Sequence, residues 1–132
     1  SVFIGGDGWE APQLTELGGP AVEGTYYSTG FSADNSAPAV RDFVRRFRHR
    51  WDNTDPDSTA ALGYDAMMLY ADAIRRAGTT DRAALRAALA ATRDFAGVTG
   101  RITIDKDRNA TKSAVMMRVA AGRTEFVETV DP

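Results

Sequence analysis

The chain has 132 residues, a formal net charge of −2 at pH 7, 43% hydrophobic residues and 26% charged residues. This length suits a compact folded domain, and the charge gives no general reason to expect nucleic acid or an acidic membrane surface as a partner. The chain has no cysteine, which excludes disulfides, thiolate chemistry and cysteine metal sites. No apolar stretch approaches the ~20 residues that a membrane-spanning helix requires.

The first predicted element is a short apolar run at residues 2–4 that is typical of a buried strand in a parallel sheet. Three glycines follow it and allow a sharp turn at the carboxyl end of the strand, where open α/β sheets bind their ligands. The turn carries one carboxylate, Asp7, and one indole, Trp9. A carboxylate beside an indole suits a small cation such as an α-ammonium group, so the pattern predicts a ligand-binding turn.

Two other interpretations of this turn stay open. Residues 6–11 fit the dinucleotide pattern G-x-G-x-x-G/A, although Asp7 would point negative charge at a pyrophosphate and Trp9 would crowd the backbone. The second predicted strand also lacks a clear acidic residue for a ribose. Alternatively, Asp7 caps a helix that begins near residue 11.

The next elements follow from local signals. Helical spacing predicts a helix over residues 11–17 that ends at Gly18. Residues 25–29 are rich in β-formers and predict a second strand. Residues 31–37 have turn chemistry, and Pro38 can open the next helix.

The helix predicted over residues 39–51 is amphipathic, with one apolar stripe and one basic face. The stripe consists of Val40, Phe43, Val44, Phe47 and Trp51, and the basic face of Arg41, Arg45, Arg46, Arg48, His49 and Arg50. A nucleic-acid or phospholipid patch is one interpretation of the basic face. The acidic chain and the lack of aromatic residues on that face favour a solvated surface. His49 is the only histidine, so we expect it at the surface without a metal or catalytic role.

A long helix is predicted over residues 58–77, capped by Ser58 and ended by Gly78. Its core face is predicted to be Leu62, Ala66, Leu69, Ala73 and Ile74, and further apolar residues are Tyr64, Met67, Met68 and Tyr70. This composition indicates burial on more than one side. A shorter helix over residues 81–92 directs Leu85 and Leu89 inward.

The last third of the chain predicts strands. A strand is expected at about residues 101–104, and two more at 113–119 and 125–130. The segment between the first two begins like a calcium loop, but Ala110 and Met116 stand where glycine and glutamate are needed. It is therefore interpreted as a hairpin turn.

Six sequence pieces together resemble a known family. They are Phe3-Ile4-Gly5-Gly6-Asp7-Gly8-Trp9, Gly18-Gly19-Pro20-Ala21-Val22-Glu23-Gly24, Ala61-Leu62-Gly63-Tyr64-Asp65-Ala66, Ala71-Asp72-Ala73-Ile74, Phe95-Ala96-Gly97-Val98-Thr99-Gly100 and Ile104-Asp105. In order and spacing the chain resembles the C-terminal part of branched-chain amino acid (Leu/Ile/Val-type) substrate-binding proteins of ABC transporters. The resemblance implies an α/β chain with part of the type I periplasmic-binding-protein fold.

The resemblance also implies roles for particular residues. Asp7 matches the acidic residue that binds the ligand's α-ammonium group, and Tyr64 matches an aromatic that faces the cleft between two lobes. Trp9 lies where pocket walls are common. The residues that bind the ligand's carboxylate belong to the first part of the family's chain.

The implied architecture divides the chain between two lobes. Residues 1–54 and 112–132 would belong to the second lobe and residues 55–111 to the first, both incomplete. The apolar faces of helices 58–77 and 81–92 would then be exposed. We therefore expect them to contact a copy of this chain, by exchange of segments around residues 52–57, or a missing segment of a longer protein.

The implied function is solute binding for an ABC importer. We expect an amino acid or similar small polar ligand, a permease partner, and a periplasmic or other extracytoplasmic location with a possible lipid anchor. A ligand-sensing receptor domain of the same fold is the alternative. We expect neither an enzyme nor a metal or other cofactor, because the sequence offers no nucleophile–base pair and no metal cluster.

Overall fold

The computed structural model describes residues 2–132, which form a mixed α/β chain. The strands are β1 (Ile4–Gly5), β2 (Tyr26–Thr29), β3 (Phe95–Gly97), β4 (Gly100–Ile104), β5 (Ala110–Thr111), β6 (Ala114–Ala120) and β7 (Arg123–Val130). The α-helices are α1 (Gln13–Gly18), α2 (Pro38–Arg50), α3 (Ser58–Ala77) and α4 (Arg82–Ala90). Two 3₁₀ turns, Asp7–Trp9 and Gly19–Val22, flank α1.

The two ends of the chain meet in a four-stranded sheet of order β1-β2-β6-β7. Strands β1 and β2 run parallel, whereas β6 pairs antiparallel with both β2 and β7. Alternate residues of the central strands are buried, as expected for a sheet covered on one face. The resulting core, which we call the sheet cluster, consists of Tyr27, Val115 and Met117, with Trp9, Leu14 and Phe126 packed against it.

Strand β1 confirms the predicted parallel pairing, but its predicted burial is wrong. It lies at the edge of the sheet, and the side chain of Ile4 is 73% exposed. Val2 and Phe3 are exposed as well. An apolar run predicts a strand from the sequence, whereas burial depends on where that strand lies, and here it lies at the edge of the sheet.

A second core joins α2 to α3. This helix cluster contains the buried residues Phe31, Val40, Phe43, Val44 and Ala61, with Ala33, Phe47, Tyr64 and Val98 against it. The predicted apolar stripe of α2 is buried over Val40, Phe43 and Val44, and it fades towards the exposed Trp51. Pro38 is the first residue of α2, as predicted.

Helix α3 spans the predicted residues 58–77, but its cap differs, and of the predicted core face only Ala73 is fully buried. The cap is Asp57, whose side chain accepts a hydrogen bond from the Ala60 amide, rather than Ser58. Gly78 ends the helix in the left-handed conformation, as predicted. The buried residues are Ser58, Ala61, Asp65 and Ala73, whereas Leu62 and Ala66 of the predicted core face are exposed. Because α3 is apolar around most of its circumference, periodicity could not decide which side faces the core.

The remaining elements are antiparallel hairpins and a short helix. Helix α4 is capped by Asp81, and β3, β4 and β5 form a three-stranded sheet. The β4–β5 turn is organised by Asp105, whose carboxylate accepts from the amides of Asp107 and Asn109. The predicted hairpin is thereby confirmed. Gly122 occupies the β6–β7 turn with φ of 73°, a conformation that glycine adopts at little cost.

Candidate functional site

The predicted ligand turn directly follows β1. Asp7, Gly8 and Trp9 form one 3₁₀ turn, which is closed by hydrogen bonds from the Trp9 amide to the Gly6 carbonyl (3.0 Å) and from the Glu10 amide to the Asp7 carbonyl (2.9 Å). Asp7 is exposed. Within residues 2–132 its carboxylate has no hydrogen-bond or ion-pair partner. The backbone of the turn is therefore fixed while its one carboxylate is available.

The structure does not support a capping role for Asp7. Helix α1 begins at Gln13 and is preceded by Pro12 at the cap position, where no side-chain cap hydrogen bond is formed within residues 2–132. The distance along the chain is the reason, since a capping side chain reaches amides two or three residues ahead.

Trp9 belongs to the core as much as to the turn. It is half-buried against the sheet cluster. A Cβ built on Gly5 would overlap the Trp9 ring, so the second residue of β1 must be glycine for the indole to lie flat on the strand. The contact of the Trp9 ring with Gly5 therefore fixes where the turn lies on the sheet, and Trp9 is also part of the backbone of that turn.

Tyr64 lies elsewhere, in the helix cluster. Its ring centroid is 4.9 Å from that of Phe43, with the planes tilted by 44°. Tyr64 also lines a cavity of about 290 Å³ between α2, α3 and β3, whose walls include Phe43, Met68, Phe95 and Val98. Asp7 and Trp9 thus share one turn, while Tyr64 is held by another group of elements.

Glu10 connects these two groups. One oxygen of its carboxylate accepts a hydrogen bond from the Ser58 amide at the start of α3 (2.8 Å), and the other accepts from the Thr29 hydroxyl at the end of β2. Glu10 is only partly exposed. Sequence reasoning missed this residue, because nothing in the sequence relates an acid at position 10 to an amide 48 positions away.

Asp65 is a second residue that the sequence analysis missed. It is 2% exposed, and its carboxylate accepts three hydrogen bonds from the β3–β4 turn: from the Val98 amide (2.8 Å), the Thr99 amide (2.8 Å) and the Thr99 hydroxyl (2.7 Å). An aspartate in the middle of a long apolar helix is unfavourable by propensity. This unfavourable placement was the sequence feature that could have indicated a buried aspartate bound to another segment.

Lys112 also connects two segments that are distant in the chain. Its ammonium donates to the carbonyls of Gly30 (3.3 Å) and Ser113 (2.8 Å), so it ties the end of β2 to the segment that enters β6. Burial lowers the pKa of Lys112, and the Asp65 carboxylate opposes that shift.

The basic face of α2 is solvated, as expected. Its arginines are exposed, and Asp42 pairs with both Arg45 and Arg46. His49 is exposed. Among the described residues no group of three or more histidine, cysteine, aspartate or glutamate side chains could hold a metal ion. None of the helices in residues 2–132 combines the length and apolar character that crossing a membrane requires.

In an α/β chain, a glycine-bounded acidic turn at the carboxyl end of a parallel strand lies where open α/β sheets bind their ligands. The sequence profile of the periplasmic binding protein family matches residues 1–124. The chain therefore belongs to the periplasmic binding protein family.

Individual relatives agree with this assignment. A Leu/Ile/Val-binding protein homolog 1 from Brucella suis is 31% identical over 104 residues, which is 79% of this chain. The crystal structure of a leucine-binding protein from Thermotoga maritima is 38% identical over 100% of this chain, with a TM-score of 0.84. A branched-chain amino acid transporter substrate-binding protein from Streptococcus pneumoniae, solved with isoleucine, is 32% identical over 98% of this chain, with a TM-score of 0.80.

These matches confirm the predicted family and fold class, an α/β chain with part of the type I periplasmic-binding-protein fold. They cover only part of each relative: 27% of the Brucella protein, 38% of the Thermotoga protein and 37% of the Streptococcus protein. The chain thus spans roughly a third of the length of its relatives.

Proposed function

We propose that this chain serves in the extracytoplasmic solute-binding component of an ABC importer and takes part in binding an amino acid or similar small polar ligand. The observation that carries the proposal is the free carboxylate of Asp7 on a rigid turn at the carboxyl end of β1. A ligand's α-ammonium group supplies the positive charge with which this carboxylate is not paired within residues 2–132.

The relatives narrow the ligand class. The Brucella protein is named as a homolog of a Leu/Ile/Val-binding protein, and the Streptococcus structure contains isoleucine. Branched-chain amino acids are therefore the first candidates. In this proposal Trp9 and Tyr64 contribute apolar walls that select the ligand's side chain, and the protein binds without turning the ligand over.

The lobes are also part of the proposal. The predicted boundary at residue 54 groups α2 with the four-stranded sheet, whereas the contacts of Val40, Phe43 and Val44 group α2 with α3. We therefore infer that the chain passes between lobes near residue 30, just before the buried Phe31 of the helix cluster, and again near residues 112–113. A ligand that contacts both lobes stabilises the closed arrangement.

The partners follow from the same reasoning. An importer requires a permease and places the binding protein outside the cytoplasm, with or without a lipid anchor. The exposed apolar side chains of α3, among them Met67 at 66% exposure, are suited to contact with another part of the protein or a second copy.

The test is the substitution Asp7→Asn in the complete natural protein that carries this chain. Asparagine keeps the shape and removes the charge. Breaking a pair that becomes buried on closure typically costs about 3–5 kcal/mol, so affinity should fall by between about a hundredfold and several thousandfold. Isothermal titration calorimetry with L-leucine, L-isoleucine and L-valine measures this affinity.

The matched control is Glu16→Gln, which makes the same change of charge at an exposed position in α1. It should leave affinity unchanged. Equal affinities of the Asp7→Asn variant and the unsubstituted protein for the best ligand would refute the role of Asp7. Chemical turnover of the ligand would refute the assignment as a binding protein.

A further inference from the structure

The turn that carries Asp7 and the helix α3, which carries Tyr64, belong to different cores. Asp7 and Trp9 are placed by the sheet cluster, and Tyr64 by the helix cluster. The two groups are connected covalently only near residue 30 and near residues 112–113. Their relative position therefore depends on the few side chains that bridge them.

Glu10 is the bridge that starts from the ligand turn itself. It is three residues from Asp7, and it binds the first amide of α3 and the hydroxyl of Thr29 at the end of β2. Tyr64 lies six residues further along the same helix, or about 9 Å along its axis. The path from Asp7 to Tyr64 thus runs through one carboxylate and two turns of helix.

The donors that contact Glu10 favour a negative charge and fix the orientation of its carboxylate. The Ser58 amide is one of the helix-terminal donors without an intrahelical acceptor, and the positive end of the helix dipole favours an anion there. Both donors point at separate oxygens of one partly buried carboxylate, which fixes its orientation. Glutamine can keep one acceptor, but it has no charge and presents a donor in place of the second.

We propose that Glu10 is a positioning residue for ligand binding: it touches α3 and β2 rather than the ligand, and it holds the Asp7 turn in the place relative to Tyr64 that binding requires. This inference rests on the proposed function. Loss of the bridge lowers the fraction of protein in the binding-competent arrangement, and apparent affinity falls in proportion to that fraction.

The experiment compares Glu10→Gln with Glu16→Gln in the complete natural protein that carries this chain. Stopped-flow measurement of L-leucine binding, followed by Trp fluorescence, gives association and dissociation rates separately. We expect Glu10→Gln to weaken affinity roughly tenfold, the scale of one charge-assisted hydrogen bond. The loss should lie in the association rate, because only the competent fraction changes. Glu16→Gln should stay within about twofold of the unsubstituted protein, as expected for an exposed surface position.

A double-mutant cycle identifies the contact. Thr29→Val removes the hydroxyl and keeps the shape of a buried side chain. If both residues act through the same bridge, the double variant Glu10→Gln, Thr29→Val should bind leucine no more weakly than Glu10→Gln alone.

A measurement on the ligand-free protein tests whether the Glu10 bridge exists, independently of the proposed function. Hydrogen exchange of the ligand-free protein should quicken at residues 58–60 in Glu10→Gln and not in Glu16→Gln, because the Ser58 amide loses its charged acceptor.

Two kinds of result would overturn the positioning role of Glu10. Affinity within about twofold of the unsubstituted protein, or a loss confined to the dissociation rate, overturns the positioning role. If the unsubstituted protein binds none of the branched-chain amino acids, the proposed function fails and the positioning role fails with it. The exchange result then still shows whether the bridge exists.

Discussion

Asp65 provides the sharpest test of what holds α3 to the β3–β4 hairpin. The substitution Asp65→Asn changes one buried atom from an oxygen to an NH₂ group. The carboxylate receives one hydrogen bond on Oδ1, from the Val98 amide, and two on Oδ2, from the amide and hydroxyl of Thr99. No orientation of asparagine accepts all three.

The magnitude follows from these contacts. In its best orientation asparagine keeps the two bonds from Thr99 and turns its NH₂ group towards the Val98 amide. An unsatisfied buried donor costs about 1–3 kcal/mol, and the two remaining bonds lose their charge assistance. We expect the free energy of unfolding to fall by about 3–5 kcal/mol, a large part of the ~5–15 kcal/mol that stabilises a typical domain.

The matched control lies two turns along the same helix. Asp72 forms ion pairs with Arg75 and Arg76 at the surface, and exposed pairs contribute little. Asp72→Asn should therefore shift the urea midpoint far less than Asp65→Asn. Urea unfolding of the complete natural protein, followed by circular dichroism, compares them at one pH and salt concentration. A midpoint shift for Asp65→Asn no larger than that for Asp72→Asn would show that the three hydrogen bonds do not anchor the hairpin.

Two other predictions concern the four-stranded sheet. Burial raises the pKa of Tyr27 above its ordinary value of 10.0, although a hydrogen bond with Thr124 opposes the shift. The resulting stabilisation is complete below pH ~10 and lost as pH rises through the folded-state pKa. Tyr27→Phe should thus flatten the alkaline decline of the urea midpoint, and parallel declines in both proteins would contradict this. Gly5→Ala forces the Trp9 ring off the sheet, so Trp fluorescence should shift to the red, whereas an unchanged spectrum and stability would refute that packing.

The local elements could be predicted because their signals are local. Pro38 opens α2 and Gly78 closes α3 by the geometry of their own backbones. The apolar stripe of α2 occupies one side of the helix, so periodicity alone identified Val40, Phe43 and Val44 as core. The order of the glycine-rich turn and the later motifs carried the family, and with it the fold class.

Other features depended on neighbours that the sequence does not specify. The apolar run of β1 predicts a strand equally well at the edge or in the middle of a sheet, and here it lies at the edge. The side of α3 that faces the core was equally undetermined, because the helix is apolar nearly all around. Asp65, rather than the predicted leucines, lies at the centre of its buried face.

The sequence by itself determined the helices α2 and α3, the starts and stops set by Pro38 and Gly78, the family and the acidic turn that carries Asp7, since each depends on residues close together in the chain. Only the tertiary structure decided that α2 packs with α3 and that Glu10 joins the turn of Asp7 to α3. The physical reason is that a hydrogen bond or a packed ring depends on the relative position of segments far apart in the chain, such as the 48 residues between Glu10 and Ser58 or the 82 between Gly30 and Lys112. That position results from the folding of the whole chain.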